Sequence, residues 1–426
     1  MKVALINPHY FHDSIHPEFN AVLEKSTPFS TSKTPSLPLL AVAALTPPEF
    51  EVSYIDENTE PVDFDMEVDL VGISALTPQA TRAYEIADSF RKRGKKVVLG
   101  GVHASILSKE AKNHADAVVI GEAENVWGVL LEDFQKDRLK EFYTGGLADM
   151  KKILIPRFDL LKSHHYMYLP TPVIPMEFSR GCPIDCTFCN VTRLYGAKTR
   201  YKEPIQIKNE IEYLLEDCSM GSATLKFNDP NPFVNQKAAA PILETIGEFN
   251  LKWASLADIS IAKNSDFLKL MKKSGCFLIA IGLESLVSEE LKDLSEWKER
   301  YVEKYVGAIK KINDHGIAVV TNIIISPGPY TRRAVERTIE FVDQYKVLAQ
   351  YSILTPYPGT HFYEEVQSQG KIKKDLDWKY FNTFNLVYDS GYPPEELYEG
   401  IEELYRITWS KDFMKSIHSH NQAVWA

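Results

Sequence analysis

The stretch SRGCPIDCTFCN, residues 179–190, places three of the chain's five cysteines within eight residues. Cys182, Cys186 and Cys189 have the spacing C-x3-C-x2-C. A loop this short can wrap three thiolates around one inorganic group. Iron–sulfur clusters are held by cysteine thiolates, normally four of them, so three would leave one iron open to another molecule. Structural zinc sites favour C-x2-C pairs and a complete ligand set, whereas Cys218 and Cys276 stand alone. The cluster is the favoured reading; zinc, or a group of inert thiols, competes with it. An odd, clustered set of cysteines does not suit a disulfide framework, and a reducing cytoplasm is the expected compartment.

Working outward, the cysteines follow PVIPMEFS, the first of six strand-like runs. The others are SATLKFND, KWASLA, CFLIAIGLES, GIAVVTNIIIS and AQYSILTPYPG. Helical patterns such as EPIQIKNEIEYLLED and NSDFLKLMKKSG lie between them. Six strand–helix units over residues 171–365 predict a partial (β/α)6 barrel, whose active site lies at the carboxyl ends of its strands. The cysteines fall on that face.

Residues 1–140 repeat the alternation with VALIN, EVSYI, DLVGIS, KVVLGG and AVVIG. Between the third and fourth, TPQATRAYEIADSFRKRG sets Ala83, Ile86, Ala87 and Phe90 on one stripe and ends at Gly94. The expected fold is a flavodoxin-like (Rossmann-type) doubly wound α/β domain, which takes ligands beyond its strand ends. Those ends read SALTPQ, GGVHAS and GEAE. Small residues there let backbone approach a ligand, or simply make tight turns. Residues 141–170 read as a linker, and 366–426 as a small α-helical C-terminal region. In the latter, Leu397, Ile401 and Leu404 recur at helical spacing. Trp378, Tyr380, Phe381 and Phe384 read as core, with pocket lining the other reading.

The chain has 426 residues and a net charge of −10, which disfavours a sequence-independent grip on nucleic acid. No apolar run approaches the ~18 residues of a spanning helix, and MKVALINPHY reads as a first strand rather than a signal peptide.

With its aromatic before the third cysteine, GCPIDCTFC resembles the signature of the radical S-adenosylmethionine (SAM) enzymes. The resemblance implies a [4Fe-4S] cluster on Cys182, Cys186 and Cys189, with SAM chelating the open iron through its amino and carboxylate groups. Electron transfer then cleaves SAM to methionine and a 5'-deoxyadenosyl radical, so an electron donor such as flavodoxin or ferredoxin is implied. It also assigns Phe188, Asp229, Glu284, Ser285, Asn322 and Thr355 to SAM or its cavity, with Ser326 a weaker candidate. In FNDPN, Asn228 replaces one acid of the usual pair and Asp229 keeps the other; NIIISPGPYT departs from the usual Gly-rich form.

The front domain resembles the cobalamin-binding domain that precedes many radical SAM barrels. That implies cobalamin near Ser74, Leu76, Thr77, Gly100, Gly101, His103, Gly121 and Glu122. The motif D-x-H-x2-G is missing, so no histidine ligand to cobalt is expected. The implied activity is methylation of an unactivated carbon of a small-molecule or natural-product substrate. Its alternative is a radical reaction without methyl transfer, such as cyclisation or aminocarboxypropyl transfer. An iron–sulfur electron carrier, a third possibility, leaves IGLES and TPYPGT unexplained. The charge also argues against an RNA substrate.

Overall fold

The computed structural model describes residues 1–10, 34–166, 171–218 and 220–425. In the front domain, six strands run parallel: β1 (Lys2–Asn7), β2 (Glu51–Asp56), β3 (Leu70–Ser74), β4 (Lys96–Gly100), β5 (Ala117–Gly121) and β6 (Phe142–Gly146). Their order is β2-β1-β3-β4-β5-β6, so the chain reverses direction between β1 and β3. Apolar side chains on both faces, such as Val3, Leu5, Val71 and Ile73, are buried beneath helices. Such near-continuous apolar strands belong to a parallel sheet covered on both sides. The helix Ala80–Lys92 buries the stripe of Ala83, Ile86, Ala87 and Phe90, as its spacing predicts.

β6 corrects the sequence reading, because it lies in the stretch read as linker and pairs with β5 through Val118↔Phe142. Its alternation is real but short: Tyr143 and Gly145 face inward, and two of its five residues are glycine. The last residues of that stretch, 167–170, lie outside the described residues.

The second sheet holds β7 (Val173–Met176), β10 (Thr224–Phe227), β11 (Trp253–Ala257), β12 (Cys276–Glu284), β13 (Ala318–Ile325) and β14 (Leu348–Ile353). They run parallel in the order β14-β13-β12-β11-β10-β7, an open six-stranded barrel with every strand where the sequence places it. A two-residue ribbon, β8 (Ser179–Arg180) with β9 (Arg200–Tyr201), brackets the cysteine loop. At the C-terminus, helices Pro394–Thr408 and Lys411–Trp425 pack on the barrel, burying Leu397, Ile401 and Leu404. Just before them, the turn Trp378–Tyr380 returns to the front domain. There the Asp377 carboxylate accepts from Thr81 Oγ1, and Trp378 Nε1 donates to Glu110 Oε1 at 2.7 Å. Phe381 is buried, while Trp378, Tyr380 and Phe384 are half-buried against the core. Among the described residues no helix is long and apolar enough to cross a membrane.

Candidate active site at the domain junction

The loop carrying the cysteines leaves β8 through Gly181, whose φ of +95° and closeness to the Lys198 carbonyl exclude a side chain. Cys182 N donates to Gly196 O at 3.2 Å and Cys189 N to Cys186 O at 3.1 Å. Cys186 is buried, and Cys182 and Cys189 are half-buried. Burial pushes all three thiols up, Cys189 to about 11, with Lys298 pulling each partly back. They are therefore protonated when metal-free, and metal binding must release their protons.

A tetrahedral zinc ion with bonds of about 2.3 Å needs sulfurs roughly 3.8 Å apart. Among the described residues no three His, Cys, Asp or Glu side chains converge that tightly. Three thiols on one short loop suit an iron–sulfur cluster, whose irons are held by cysteine thiolates. Phe188 packs its ring against Leu294, Ile324 and Leu354, giving the loop an apolar underside.

Around the loop, the strand ends present acceptor oxygens without donors. Asp229 is fully buried beyond β10. Its Oδ1 accepts from Phe178 N at 3.0 Å, from Ser179 Oγ at 2.7 Å and from Ser179 N, while Oδ2 has no partner. Burial lifts its pKa to about 7, against the pull of those hydrogen bonds. Asn231, whose Nδ2 lies 3.9 Å from Cys182 Sγ, leaves Oδ1 unpartnered, and Asp258 beyond β11 leaves Oδ2 so. Orphaned buried acceptors are costly. A ligand with an ammonium group, a sulfonium and ribose hydroxyls, as SAM has, fits them.

The expected SAM residues lie on the neighbouring strands and just beyond them. Glu284 closes β12, and Asn322 pairs across the ladder with Gly282. Thr355, buried after β14, donates to its own turn at Ile353 O. Ser285 is committed elsewhere: its Oγ donates to Glu290 Oε2 at 2.5 Å and accepts from Val287 N. Ser326 uses its carbonyl on Thr331 Oγ1. Lys298, missed in the sequence, pairs with Glu284.

On the other side of the loop, a cavity of about 420 Å3 opens between the two sheets. Ser74, Leu76, Gly100, Gly101, Gly121 and Glu122 line it from the front domain, at and beyond the carboxyl ends of β3, β4 and β5. From the barrel come Ser179, Arg180, Asn228 and Pro230. Gly101, at φ +88°, would drive a Cβ to 2.8 Å from Ala75 N, so only glycine lets these turns meet. Gln79 Oε1 accepts from Leu76 N at 3.0 Å, fixing a turn that leaves the Leu76 side chain exposed in the cavity.

Thr77 and His103 depart from expectation. They do not line the cavity but are buried behind it, His103 Nδ1 3.3 Å from Thr77 Oγ1 and Nε2 3.5 Å from Glu110 Oε1. The reason is local: β4 runs straight into the helix Gly101–Ile106, which turns His103, the fourth residue of GGVHAS, inward. Among the described lining residues there is no histidine, cysteine or methionine. The described lining offers a corrinoid backbone and small polar groups.

Glu122 is structural as well as lining. It accepts from Ala148 N at 2.7 Å, from Arg180 Nη1 at 3.1 Å and from Arg200. Arg180 also reaches Glu124 at 2.7 Å and Glu177 at 2.5 Å. This buried group bolts the front sheet to the ribbon that brackets the cysteines.

Comparison with known proteins agrees with this geometry. Residues 176–342 match the Radical SAM superfamily, and residues 30–131 match the B12 binding domain. The chain is 31% identical over 399 residues to the bacteriochlorophyllide d C-8(2)-methyltransferase of Chlorobaculum tepidum, covering 90% of this chain and 88% of that protein. It is 28% identical to the hopanoid C-2 methylase of Rhodopseudomonas palustris, over 82% of this chain and 68% of that one. The fold superposes on the cobalamin-dependent SAM radical enzyme OxsB, solved with aqua-cobalamin and SAM, with a TM-score of 0.73 and 15% identity; the match covers 100% of this chain and 71% of OxsB. The chain thus belongs to the radical SAM superfamily, as a cobalamin-binding enzyme whose cofactors are SAM, a [4Fe-4S] cluster and B12.

Proposed function

We propose that this enzyme methylates an unactivated carbon of a large, apolar ring compound of the bacteriochlorophyllide type. The observation that carries the reading is the cavity between the sheets. It begins at the switch point between β1 and β3 and ends at Ser179, Asn228 and Pro230, against the strand end that carries Asp229. When bound, the cluster and SAM supply a radical that removes a hydrogen atom, and cobalamin carries the methyl group.

The protein's part is placement and exclusion of water. Cys182, Cys186 and Cys189 hold the cluster. Asp229, Asn231 and Asp258 offer acceptors to SAM, with Glu284 at the end of β12 and Asn322 within β13. Burial raises the pKa of Asp229 to about 7. The Arg180 group seals the junction. Flavodoxin or ferredoxin would supply the electron, in the cytoplasm. The resemblance of the chain to a bacteriochlorophyllide methyltransferase supports the choice of substrate.

The test is anaerobic purification, iron–sulfide reconstitution and loading with hydroxocobalamin. One cobalt and about four irons per chain are expected, together with transfer of a deuterated methyl group from labelled SAM to bacteriochlorophyllide d. Replacing any of the three cysteines by alanine should abolish cluster and transfer together. Cleavage of SAM with no labelled product from this or related ring acceptors would overturn the substrate assignment.

A further inference from the structure

The short helix Glu296–Glu299 spans the gap between the cysteine loop and β12. On one side it is fastened to the loop: the Cys186 thiol donates to Ser295 Oγ at 3.5 Å. Thr187 donates through N and Oγ1 to Leu294 O at 3.1 and 3.2 Å. On the other side Lys298 Nζ donates to Gly282 O at 2.8 Å and to the Glu284 carboxylate. The Lys298 and Glu284 side chains are only 12% and 10% exposed.

β12 is shaped around this ion pair. A Cβ on Gly282 would stand 2.8 Å from Lys298 Nζ, so any larger residue would displace the ammonium. The register against β13 slips between Gly282 and Glu284, and Glu284 takes a φ of +65°. A non-glycine residue in the left-handed region at a functional strand end costs energy that its surroundings must justify. The ammonium has three donors and two are committed. Its charge acts on all three cysteines, and it stays protonated: burial pulls its pKa down, and the Glu284 carboxylate beside it pulls it up.

We propose that Lys298 is the counter-charge of the cysteine loop, a positioning residue that raises the reduction potential of the cluster, and that Glu284 limits how far. One-electron reduction adds a negative charge to a cluster already carrying three thiolates. A fixed cation in a poorly screened setting favours that step, and a neighbouring carboxylate opposes it. The inference concerns the cluster alone and holds whatever product the enzyme makes.

The experiment is an EPR-monitored redox titration of the reconstituted enzyme without SAM, with iron content measured on each sample. Lys298→Met should load iron and shift the midpoint potential to more negative values. Glu284→Gln, which keeps the ammonium, should shift it to more positive values, and Lys298→Arg should lie near wild type. Opposite shifts distinguish an electrostatic role from a packing defect, which moves both variants alike. Shifts of the same sign, or unchanged potentials at full iron loading, would overturn the proposal. Should Lys298→Met fail to hold iron, Glu284→Gln decides alone: a rise supports the inference and anything else refutes it.

Discussion

Asp229 shows how one buried carboxyl carries two duties. Its Oδ1 organises the turn into the cysteine loop, and its Oδ2 waits for a donor. Because burial raises its pKa from 3.8 to about 7, its contribution to stability is present at low pH. That contribution is lost as pH climbs through this window, since the unfolded carboxyl ionises first. Asparagine keeps the acceptor and does not titrate. Calorimetry of metal-free wild type and Asp229→Asn should therefore show the stability of wild type relative to the variant falling between about pH 4 and about pH 7 and levelling off above. A constant difference would mean that the carboxyl is ionised throughout. The cysteines and Asp229 were legible because their neighbours in sequence are the motif itself. Lys298 was not: it stands among charged residues in SEWKER, outside any motif, and only the fold turns its charge inward.

At the scale of elements, the ribbon of β8 and β9 matters beyond its four residues. Arg180 faces three carboxylates, Glu122, Glu124 and Glu177, of which the first two belong to the front domain. Removing one partner of a buried ion pair strands the others, a cost of about 3–5 kcal/mol. Arg180→Met should lower the unfolding free energy by that order in chemical denaturation, and Arg180→Lys by less, since lysine keeps the charge but loses the fork. A loss under about 1 kcal/mol would place the group with ordinary surface pairs. The strands themselves were readable as apolar runs bounded by turns, but this bolt was not, because Glu122 and Arg180 are 58 residues apart. β6 escaped for a different reason: two glycines in five residues leave too little side chain for a pattern to show.

For the whole molecule, the chain's return to the front domain decides how firmly the cavity is walled. Trp378 packs edge-on against His103 and bonds Glu110, behind the turn that holds Leu76 and Gln79 at the cavity. Trp378→Phe, which loses the indole donor, should speed cobalamin release during gel filtration about threefold to tenfold, and Trp378→Ala more. Equal retention by all three proteins would show the wall to be self-supporting. The doubly wound domain and the barrel could be read one after the other along the sequence; this closure could not, because Trp378 and Glu110 are separated by 268 residues. That separation sets an order of events during synthesis. The front domain leaves the ribosome and can fold while the segment that will brace it is still untranslated. A corrinoid arriving before that segment would thus meet a looser, more forgiving vestibule than the folded enzyme offers, and the later arrival of Trp378 would shut the door behind it.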